Sequence, residues 1–379
     1  MDIKKYDAVI AGYTCVDLIP DFTRQSLDDN ISNVLKPGKL IEIGGMDFVL
    51  GGVVPNTGLA MKKFGCKVFL NGLIGTDVMG LVADNKLKNI GVSEGMVKTS
   101  VAGTAFSIVI APPGIDRIFL ESPGCNHIFN MEHINFEAIS KSRFFHFGYP
   151  PLLKQFFLNN GLQLMQMYSK VKQMGVVTSL DLSLPDPESE SGKINWAAIL
   201  EKTFPFVDIF TPSLEELLQM MIPGKYSEIQ SIPGNTEIVD KVSLDLVKNI
   251  GHRIIEAGVK ILLVKMGHRG AYLLTGEVTS LNKEPIAILQ DNKWDNREIW
   301  CNAYSADSSK IKHSSGAGDT AVAAFLSAVL DGLPPERAVK YAAVAGRESL
   351  YCEDLYDDIG DWGQLTEKIK TEQNELIYL

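Results

Sequence analysis

Segments with the apolar spacing of β-strands alternate with segments of helical spacing along most of this chain. We predict strands over residues 6–11 and 67–73, with a helix over 78–89 after the second of them. The alternation resumes at residues 144–147 and continues as far as a strand at 261–265. Consecutive strand and helix units of this kind build a parallel sheet with helices on both faces. The sequence therefore predicts an α/β fold with a mostly parallel central sheet.

Two early stretches interrupt this pattern because no helix separates their predicted strands. These strands cover residues 40–43, 47–50, 104–111 and 117–121. The last two strands form a β-hairpin around a Pro-Pro-Gly turn. We expect a small β-sheet lid inserted in the α/β core. The lid is assigned residues 13–50 and 97–125, and the core is assigned residues 1–12, 51–96 and 126–379.

Charge and apolar content limit the partners that the protein can have. The chain carries 36 Lys and Arg residues against 46 Asp and Glu residues, so its net charge of −10 repels nucleic-acid and lipid phosphates. Asp7, Gly12 and Asp17 break the first apolar run, and no segment approaches the ~20 apolar residues that span a bilayer. The five cysteines are scattered without a CxxC pair. We expect a cytoplasmic protein without a nucleic-acid or membrane partner.

A glycine-rich string is the most informative local motif. Residues 313–320, HSSGAGDT, precede an apolar helix predicted over 321–330. Small residues allow successive N–H groups to converge near the positive end of that helix, and this arrangement binds phosphate. Asp319 is expected in the first helical turn, where an ionised carboxylate either caps the helix or orients a hydroxyl group and takes its proton.

Other phosphate-binding motifs fit this string less well. Gly316, Gly318 and Ala321 match a dinucleotide-binding pattern, but that pattern follows a buried strand, whereas this string follows the polar residues 308–312. The chain contains no Walker-type string G-x-x-x-x-G-K-[ST]. Taken alone, the string is either a phosphate cradle or a capped helix start.

The string Gly316-Ala317-Gly318-Asp319 resembles the carboxy-terminal signature of the ribokinase-like carbohydrate kinases, the PfkB family. Similarity in order and spacing extends over residues 6 to about 350. The resemblance implies a ribokinase-like fold and transfer of the ATP γ-phosphoryl group to a sugar or nucleoside hydroxyl. It assigns the role of base to Asp319 and an anion hole to Gly316, Ala317 and Gly318.

Residues near the amino terminus match the family's sugar-binding positions. The string Gly51-Gly52-Val-Val-Pro-Asn56 resembles a signature whose glycines let the backbone approach the sugar and whose Asn bonds to it. Asp17 matches an acidic residue that grips two sugar hydroxyls, and a carboxylate is a strong discriminator for such a diol. Without the resemblance, Asp17 is interpreted as a solvated loop residue and Asn56 as a helix cap.

Three further segments resemble the nucleotide-binding parts of the family. The string FTPSLEE resembles a strand-end motif in which Glu216 holds Mg²⁺ through water, with Ser213 in place of the usual Asn. Ser213 and Glu216 also fit a helix capping box, which competes with that role. Lys265 and Gly267 match a turn beside the ATP phosphates, and Ala343 matches a helix face that packs against adenine. The resemblance thus implies ATP and Mg²⁺ as cofactors.

The chain also departs from the family pattern. His313 stands where many relatives carry an Asp of a monovalent-cation site, so the resemblance gives no support for potassium activation. The segment 285–312 is longer and more polar than the family norm, and we interpret it as an insertion beside the nucleotide site. Lid edges often pair in this family, which favours a homodimer formed through the lid.

The motifs together predict an ATP-dependent kinase that phosphorylates a hydroxyl group of a small sugar. Two alternatives of the same fold stay open: a nucleoside kinase, and a sugar-binding regulator that has lost catalysis. The joint presence of Asp17, Asn56, Glu216 and Asp319 argues against the regulator.

Overall fold

The computed structural model describes residues 4–25, 30–115, 118–234, 236–279 and 292–379. Its strands, in chain order, are β1 (Tyr6–Gly12), β2 (Cys15–Pro20), β3 (Met46–Gly51), β4 (Val68–Asn71), β5 (Leu73–Gly75), β6 (Val97–Thr99), β7 (Phe106–Ile110), β8 (Ile118–Ser122), β9 (Ser142–Gly148), β10 (Val177–Asp181), β11 (Ile209–Phe210), β12 (Ile261–Lys265), β13 (Ala271–Thr275), β14 (Glu298–Cys301) and β15 (Leu376–Tyr378). Its helices are α1 (Ile31–Val34), α2 (Val53–Lys63), α3 (Val78–Ile90), α4 (Phe136–Ser140), α5 (Lys154–Gln173), α6 (Trp196–Thr203), α7 (Leu214–Met221), α8 (Pro223–Gln230), α9 (Leu244–Glu256), α10 (Ala317–Leu330), α11 (Pro335–Ser349), α12 (Leu355–Asp358) and α13 (Trp362–Thr371).

The larger sheet has nine strands within the described residues, in the order β15-β14-β13-β12-β11-β10-β9-β1-β4. Every pair from β4 to β12 is parallel, and the pairs from β12 to β15 are antiparallel. Helices α2, α5, α9 and α11 pack against its strands. These features confirm the predicted α/β fold with a mostly parallel central sheet.

A second sheet of four strands has the order β3-β2-β7-β8 and is separate from the larger sheet. Strand β2 pairs antiparallel with β3 and parallel with β7, and β7 pairs antiparallel with β8. The predicted hairpin is therefore present, although residues 116–117 at its tip lie outside the described residues. A third sheet joins only β5 and β6. The prediction of a small separate sheet is confirmed.

Two predicted strands differ from the structure. Residues 40–43 form no strand: Leu40 is fully exposed, and pairing with β2 begins only at Met46. The strand predicted over 67–73 is divided into β4 and β5 at Gly72, where an added Cβ would lie 2.3 Å from Thr14 Oγ1 and 2.9 Å from Met96 Cε. The local apolar pattern indicates neither that residues 40–43 lack a partner strand nor that Gly72 lies close to other parts of the chain.

Part of the segment 285–312 belongs to the larger sheet. Residues 285–291 lie outside the described residues, but Glu298–Cys301 is strand β14, which pairs with β13 and β15. Trp294 is buried, and its indole N–H donates to the Leu333 carbonyl oxygen at 3.2 Å. The sequence analysis missed this strand, because a four-residue strand flanked by polar residues leaves little pattern in the sequence. The interpretation of the segment as an insertion beside the nucleotide site stays a prediction.

Helix α10 begins at Ala317, before its predicted start at residue 321. Gly316 precedes it with a φ of 74°, a left-handed conformation that glycine adopts readily. Asp319 consequently lies in the first turn of α10, as predicted, and α10 packs along α11 and α2. Among the helices described, none combines the length and the apolar character needed to cross a bilayer.

Gly12 ends β1 where the chain leaves the larger sheet for the lid. Its φ is 132°, and a Cβ placed on it would lie 2.3 Å from the Gly148 carbonyl oxygen at the end of β9. The backbone conformation and the close approach of the neighbouring strand both require glycine at this position. The path of the chain into the lid therefore depends on a residue without a side chain.

We expect Gly12→Ala to lower the free energy of unfolding by about 3 kcal/mol, because the added Cβ forces two backbones apart. Gly65→Ala is the matched control, since Gly65 also has a positive φ (97°) but has nothing within 4 Å of an added Cβ. Only the backbone strain of about 1–2 kcal/mol is expected there. Urea denaturation measures both values. Equal losses in the two variants would contradict the close packing at Gly12.

Candidate active site

The carboxyl ends of neighbouring parallel strands bring polar side chains to one edge of the larger sheet. Tyr149 follows β9, Asp181 ends β10, Ser213 follows β11 and Lys265 ends β12. Parallel strands place their carboxyl ends at the same edge, and ligands of open α/β sheets bind there. The first turn of α10 brings Asp319 to this edge from a distant part of the chain.

Asp319 is the centre of a hydrogen-bonded cluster. Its Oδ2 accepts from Asn56 Nδ2 (2.9 Å) and from the Tyr149 hydroxyl (2.8 Å), and its Oδ1 accepts from the Thr57 hydroxyl (3.4 Å). The residue is only 2% exposed. Burial raises the pKa of Asp319, against the opposing effects of the Asn56 bond and the Lys265 charge. A carboxylate with a raised pKa is a stronger base than an ordinary carboxylate and is suited to accept a proton.

The glycine-rich string lies beside Asn56 and Lys265. A Cβ on Gly316 would lie 3.6 Å from Asn56 Nδ2, and a Cβ on Gly318 would lie 3.5 Å from Lys265 Nζ. The Ala317 N–H donates to the Ser314 carbonyl oxygen at 3.3 Å. This hydrogen bond is long, and a phosphate oxygen can replace it. The glycine-rich string therefore lies beside one neutral donor, the Asn56 amide, and one positive charge, the Lys265 ammonium.

Lys265 and Asp181 form a buried ion pair that the sequence analysis missed. Lys265 Nζ lies 2.8 Å from Asp181 Oδ1 and 2.9 Å from Oδ2, and the two side chains are 14% and 1% exposed. Burial alone would lower the pKa of Lys265, but the Asp181 and Glu216 carboxylates raise it overall. Burial raises the pKa of Asp181, and the Lys265 ammonium opposes that rise. The pair holds a positive charge near the amino end of α10.

Ser213 and Glu216 form the capping box that competes with the metal role. The Ser213 N–H donates to Glu216 Oε2 (2.6 Å), and the Glu216 N–H donates to Ser213 Oγ (3.2 Å). No group of three or more His, Cys, Asp or Glu side chains in the described part of the chain has the arrangement of a metal site. A single carboxylate with one oxygen outside the capping box fits Mg²⁺, because Mg²⁺ keeps water and phosphate ligands.

Asp17 lies on lid strand β2, where it accepts a hydrogen bond from Cys15. The Cys15 thiol donates to Asp17 Oδ1 at 3.5 Å. Burial raises the pKa of Asp17 to about 6, while hydrogen bonds from Cys15 and Ser107 lower it. Burial raises the pKa of Cys15, and the charges of Asp17 and Asp319 add to that rise. The lid carboxylate and the core carboxylate therefore act on the same thiol.

Gly51 and Gly52 lie so close to other residues that a side chain at either position would collide with them. A Cβ on Gly51 would lie 2.5 Å from Asp17 Oδ2, and a Cβ on Gly52 would lie 2.6 Å from the Tyr13 carbonyl oxygen. Gly52 also has a φ of 88° and directly precedes α2, which carries Asn56. The two glycines consequently set the approach of the lid strand to the helix that holds Asn56.

Two tyrosines outside the predicted motifs connect the cluster with the lid. The rings of Tyr13 and Tyr149 lie 6.4 Å apart, and the Tyr13 hydroxyl donates to Glu121 Oε1 on β8 at 2.5 Å. Burial and the charge of Asp319 raise the pKa of Tyr149, so its hydroxyl keeps its proton. The sequence signal for Tyr149 is only its place directly after a predicted strand.

The remaining predicted residues lie outside this cluster. Gly267 begins the turn from β12 to β13, with nothing within 4 Å of an added Cβ. Ala343 is half-buried on α11, and His313 Nε2 lies 3.3 Å from the Glu353 carbonyl oxygen. Within the described residues, no hydrogen bond joins these three residues to Asp319.

We expect Asp17→Asn to raise the free energy of unfolding by about 2 kcal/mol near pH 8, because the variant no longer buries this charge. The raised pKa of about 6 means that the folded wild-type protein binds a proton before the unfolded chain does as pH falls. Wild-type stability therefore recovers on acidification, and the advantage of the variant shrinks below about pH 6.

Asp21→Asn is the matched control, because Asp21 is a half-buried lid carboxylate whose pKa is lowered by hydrogen bonds from Thr23. This control is expected to show no gain in stability near pH 8. Urea denaturation at several pH values measures the wild-type protein and both variants. An advantage of Asp17→Asn that is absent, or that does not change with pH, would contradict the burial of Asp17.

Comparison with known proteins identifies the family of the chain. The family model "pfkB family carbohydrate kinase" matches residues 8–359. "Probable fructokinase-4" of Arabidopsis thaliana is 24% identical over 270 residues, which are 70% of this chain and 71% of that protein. The match covers the glycine-rich string and every strand-end residue described above.

Solved structures of similar fold cover nearly the whole chain. The Arabidopsis thaliana ribokinase complexed with ribose and ATP has a TM-score of 0.68 at 18% identity, covering 97% of this chain and 99% of that one. The fructokinase with bound ATP from Xylella fastidiosa has a TM-score of 0.68 at 17% identity, covering 96% and 98%. The chain therefore belongs to the pfkB family of carbohydrate kinases, which are phosphotransferases with an alcohol group as acceptor.

Proposed function

We propose that this protein transfers the γ-phosphoryl group of ATP to a hydroxyl group of a small sugar. The observation that carries this proposal is the position of Asp319, a buried carboxylate in the first turn of α10 that accepts hydrogen bonds from Asn56 and Tyr149, with Lys265 beside the same turn. A kinase needs this combination because the acceptor hydroxyl must contact a base while the phosphoryl group contacts positive charge.

The ligands of structural relatives support ATP as the donor and a sugar as the acceptor. Ribose and ATP are present in the Arabidopsis ribokinase structure, and ATP is present in the Xylella fructokinase structure. The similar protein from Arabidopsis thaliana is named "Probable fructokinase-4". A pentose or hexose is therefore the acceptor class that we propose.

Asp319 orients the acceptor hydroxyl and takes its proton as the new oxygen–phosphorus bond forms. The bond between the γ-phosphorus and the bridging oxygen breaks, and ADP leaves. The transition state of this transfer is loose, so alignment and charge stabilisation matter more than strong basicity. Lys265 and the N–H groups of Ala317 and Gly318, beside Gly316, stabilise the charge on the transferring oxygens.

Glu216 is the residue that we assign to Mg²⁺, which neutralises phosphate charge when it is bound. Its capping bond from Ser213 fixes the carboxylate and leaves Oε1 for a magnesium-bound water. Asp181 keeps the Lys265 ammonium in place before the nucleotide binds. We assign Gly267 to the nucleotide phosphates, as the resemblance implies.

On the acceptor side, Asp17 and Asn56 are assigned to sugar hydroxyls. The present donors to Asp17 include the Cys15 thiol, which is a weak donor that a sugar hydroxyl can replace with advantage. A sugar that lacks the matching hydroxyls would leave this carboxylate unpaired and is rejected for that reason. Gly51 and Gly52 keep the surrounding strand end free of side chains.

The lid also supports the proposal of a homodimer. Strand β8 is at the edge of the lid sheet, and its Ile118 and Leu120 are 37% and 51% exposed. An edge strand with open hydrogen-bonding groups and exposed apolar side chains can pair with a second copy. We assign Ala343 to the adenine side of the site, and His313 gives no reason to propose potassium activation.

We expect Asp319→Asn to lower kcat by about a thousandfold, because the acceptor hydroxyl loses its proton acceptor. ATP affinity stays nearly unchanged, since Asp319 acts on the hydroxyl side. Asp84→Asn is the matched control: Asp84 is also buried, but it pairs with Lys88 and Lys98 away from the site. Coupled ADP release and calorimetric titration measure both. Normal turnover in Asp319→Asn would remove Asp319 from the catalytic role.

We expect ADP release to be fastest with a pentose or hexose when pentoses, hexoses and nucleosides are compared at equal concentration. The reason is the pairing of Asp17 and Asn56 with sugar hydroxyls. Faster turnover with a nucleoside would favour the nucleoside kinase. Sugar binding without ADP release for any acceptor would favour the regulator and contradict the proposed function.

A further inference from the structure

Tyr149 has an unfavourable backbone conformation at the edge of the site. Its φ of 63° and ψ of 41° are left-handed, a region that bulky side chains rarely adopt. Its N–H donates to the Asp181 carbonyl oxygen (3.3 Å), and its own carbonyl oxygen accepts from the Leu152 N–H (2.9 Å). Strain of this kind persists where the surrounding structure imposes it, and it concentrates at functional sites.

This conformation directs the Tyr149 hydroxyl onto Asp319. The hydroxyl donates to Asp319 Oδ2 at 2.8 Å, which is the contact that a sugar hydroxyl must make with its base. Asn56 and Thr57 also donate to Asp319, but both belong to helix α2, whereas Tyr149 belongs to a loop. Displacement of the Tyr149 hydroxyl therefore leaves the hydrogen bonds from Asn56 and Thr57 to Asp319 unchanged.

Asp319 is too well covered to act on an acceptor in this state. With 2% of its surface exposed, it offers no room for a sugar hydroxyl beside its present donors. An entering hydroxyl must replace one of these donors to reach the carboxylate. The Tyr149 ring lies 6.4 Å from the Tyr13 ring, and the Tyr13 hydroxyl is bonded to Glu121 of the lid. Tyr149 therefore contacts both Tyr13 of the lid and Asp319 of the core.

We propose that the Tyr149 hydroxyl occupies the acceptor position on Asp319 while no sugar is bound, and that it thereby prevents water from serving as the acceptor. This role presupposes the proposed kinase activity and adds a residue that selects sugar over water. A sugar makes enough contacts with Asp17 and Asn56 to displace the tyrosine. A water molecule makes only one contact of this kind, so it does not displace the tyrosine.

The reaction that Tyr149 prevents is ATP hydrolysis. A water oxygen forms a bond to the γ-phosphorus, the bond between that phosphorus and the bridging oxygen breaks, and ADP leaves. Asp319 receives the proton from the water, and inorganic phosphate is the product. Water that reaches Asp319 satisfies the same alignment as a sugar hydroxyl, so only exclusion separates the two reactions.

Tyr149→Phe tests this role because it keeps the ring and removes the hydroxyl. We expect phosphate release from ATP without sugar to rise about tenfold, the effect of one hydrogen bond to a charged group. The KM for the sugar should fall by a similar factor, because no bond has to be displaced, whereas kcat changes little. Tyr149→Gly, which relieves the left-handed strain, should also raise sugar-independent phosphate release.

Tyr168→Phe is the matched control, because the Tyr168 hydroxyl is also buried and donates to the Ser179 carbonyl oxygen at 2.8 Å, away from Asp319. This control should show no rise in hydrolysis, and thermal unfolding should show that all variants are folded. The rise should disappear when Asp319→Asn is added to Tyr149→Phe, because the water then lacks its proton acceptor.

Unchanged sugar-independent hydrolysis in both Tyr149 variants, while the sugar is still phosphorylated, would overturn this inference and leave the proposed function intact. A rise in Tyr149→Gly alone would also overturn it, because space rather than the hydroxyl would then be responsible. Failure of the wild-type protein to phosphorylate any acceptor would instead overturn the proposed function, and this inference with it.

Discussion

One buried carboxylate sets the requirements for the rest of the site. Asp319 is 2% exposed, and an unpaired charge at such a position would be strongly destabilising. Helix α2 provides donors in Asn56 and Thr57, α10 provides the positive end of its dipole, and Lys265 provides a full charge. These groups come from distant parts of the chain, so the carboxylate is stabilised only in the folded protein. The same groups are those that a phosphoryl-transfer site needs.

The charge balance around Asp319 also indicates which ligands the site can take. Lys265 is surrounded by the carboxylates of Asp181, Glu216 and Asp319, which leaves this edge of the sheet negative. ATP is disfavoured there on its own and favoured with Mg²⁺, because the cation offsets the added phosphate charge. The lid adds the carboxylate of Asp17. We therefore propose an uncharged polyol, rather than a phosphorylated sugar, for the acceptor side.

Much of the fold was predictable because it depends on local pattern, whereas the site depends on sheet order. Alternating strand and helix periods are enough to predict a parallel sheet, and a glycine-rich string before an apolar helix is enough to place Asp319 in a first helical turn. The pairing of Lys265 with Asp181 was not predictable, because it requires β12 and β10 to lie on either side of β11. Tyr149 was missed because an aromatic residue after an apolar strand is typical of a core, and only its φ of 63° distinguishes it.

We propose above all that the acceptor hydroxyl lies between the Asp319 carboxylate and the γ-phosphate. A crystal structure with a non-hydrolysable ATP analogue, Mg²⁺ and the best sugar acceptor tests this claim most directly. We expect a sugar oxygen within ~3 Å of an Asp319 carboxylate oxygen, in line with the γ-phosphorus. We also expect Lys265 near the phosphates and the sugar hydroxyls on Asp17. A γ-phosphate bound away from the amino end of α10, or a sugar that does not contact Asp319, would contradict this role of Asp319.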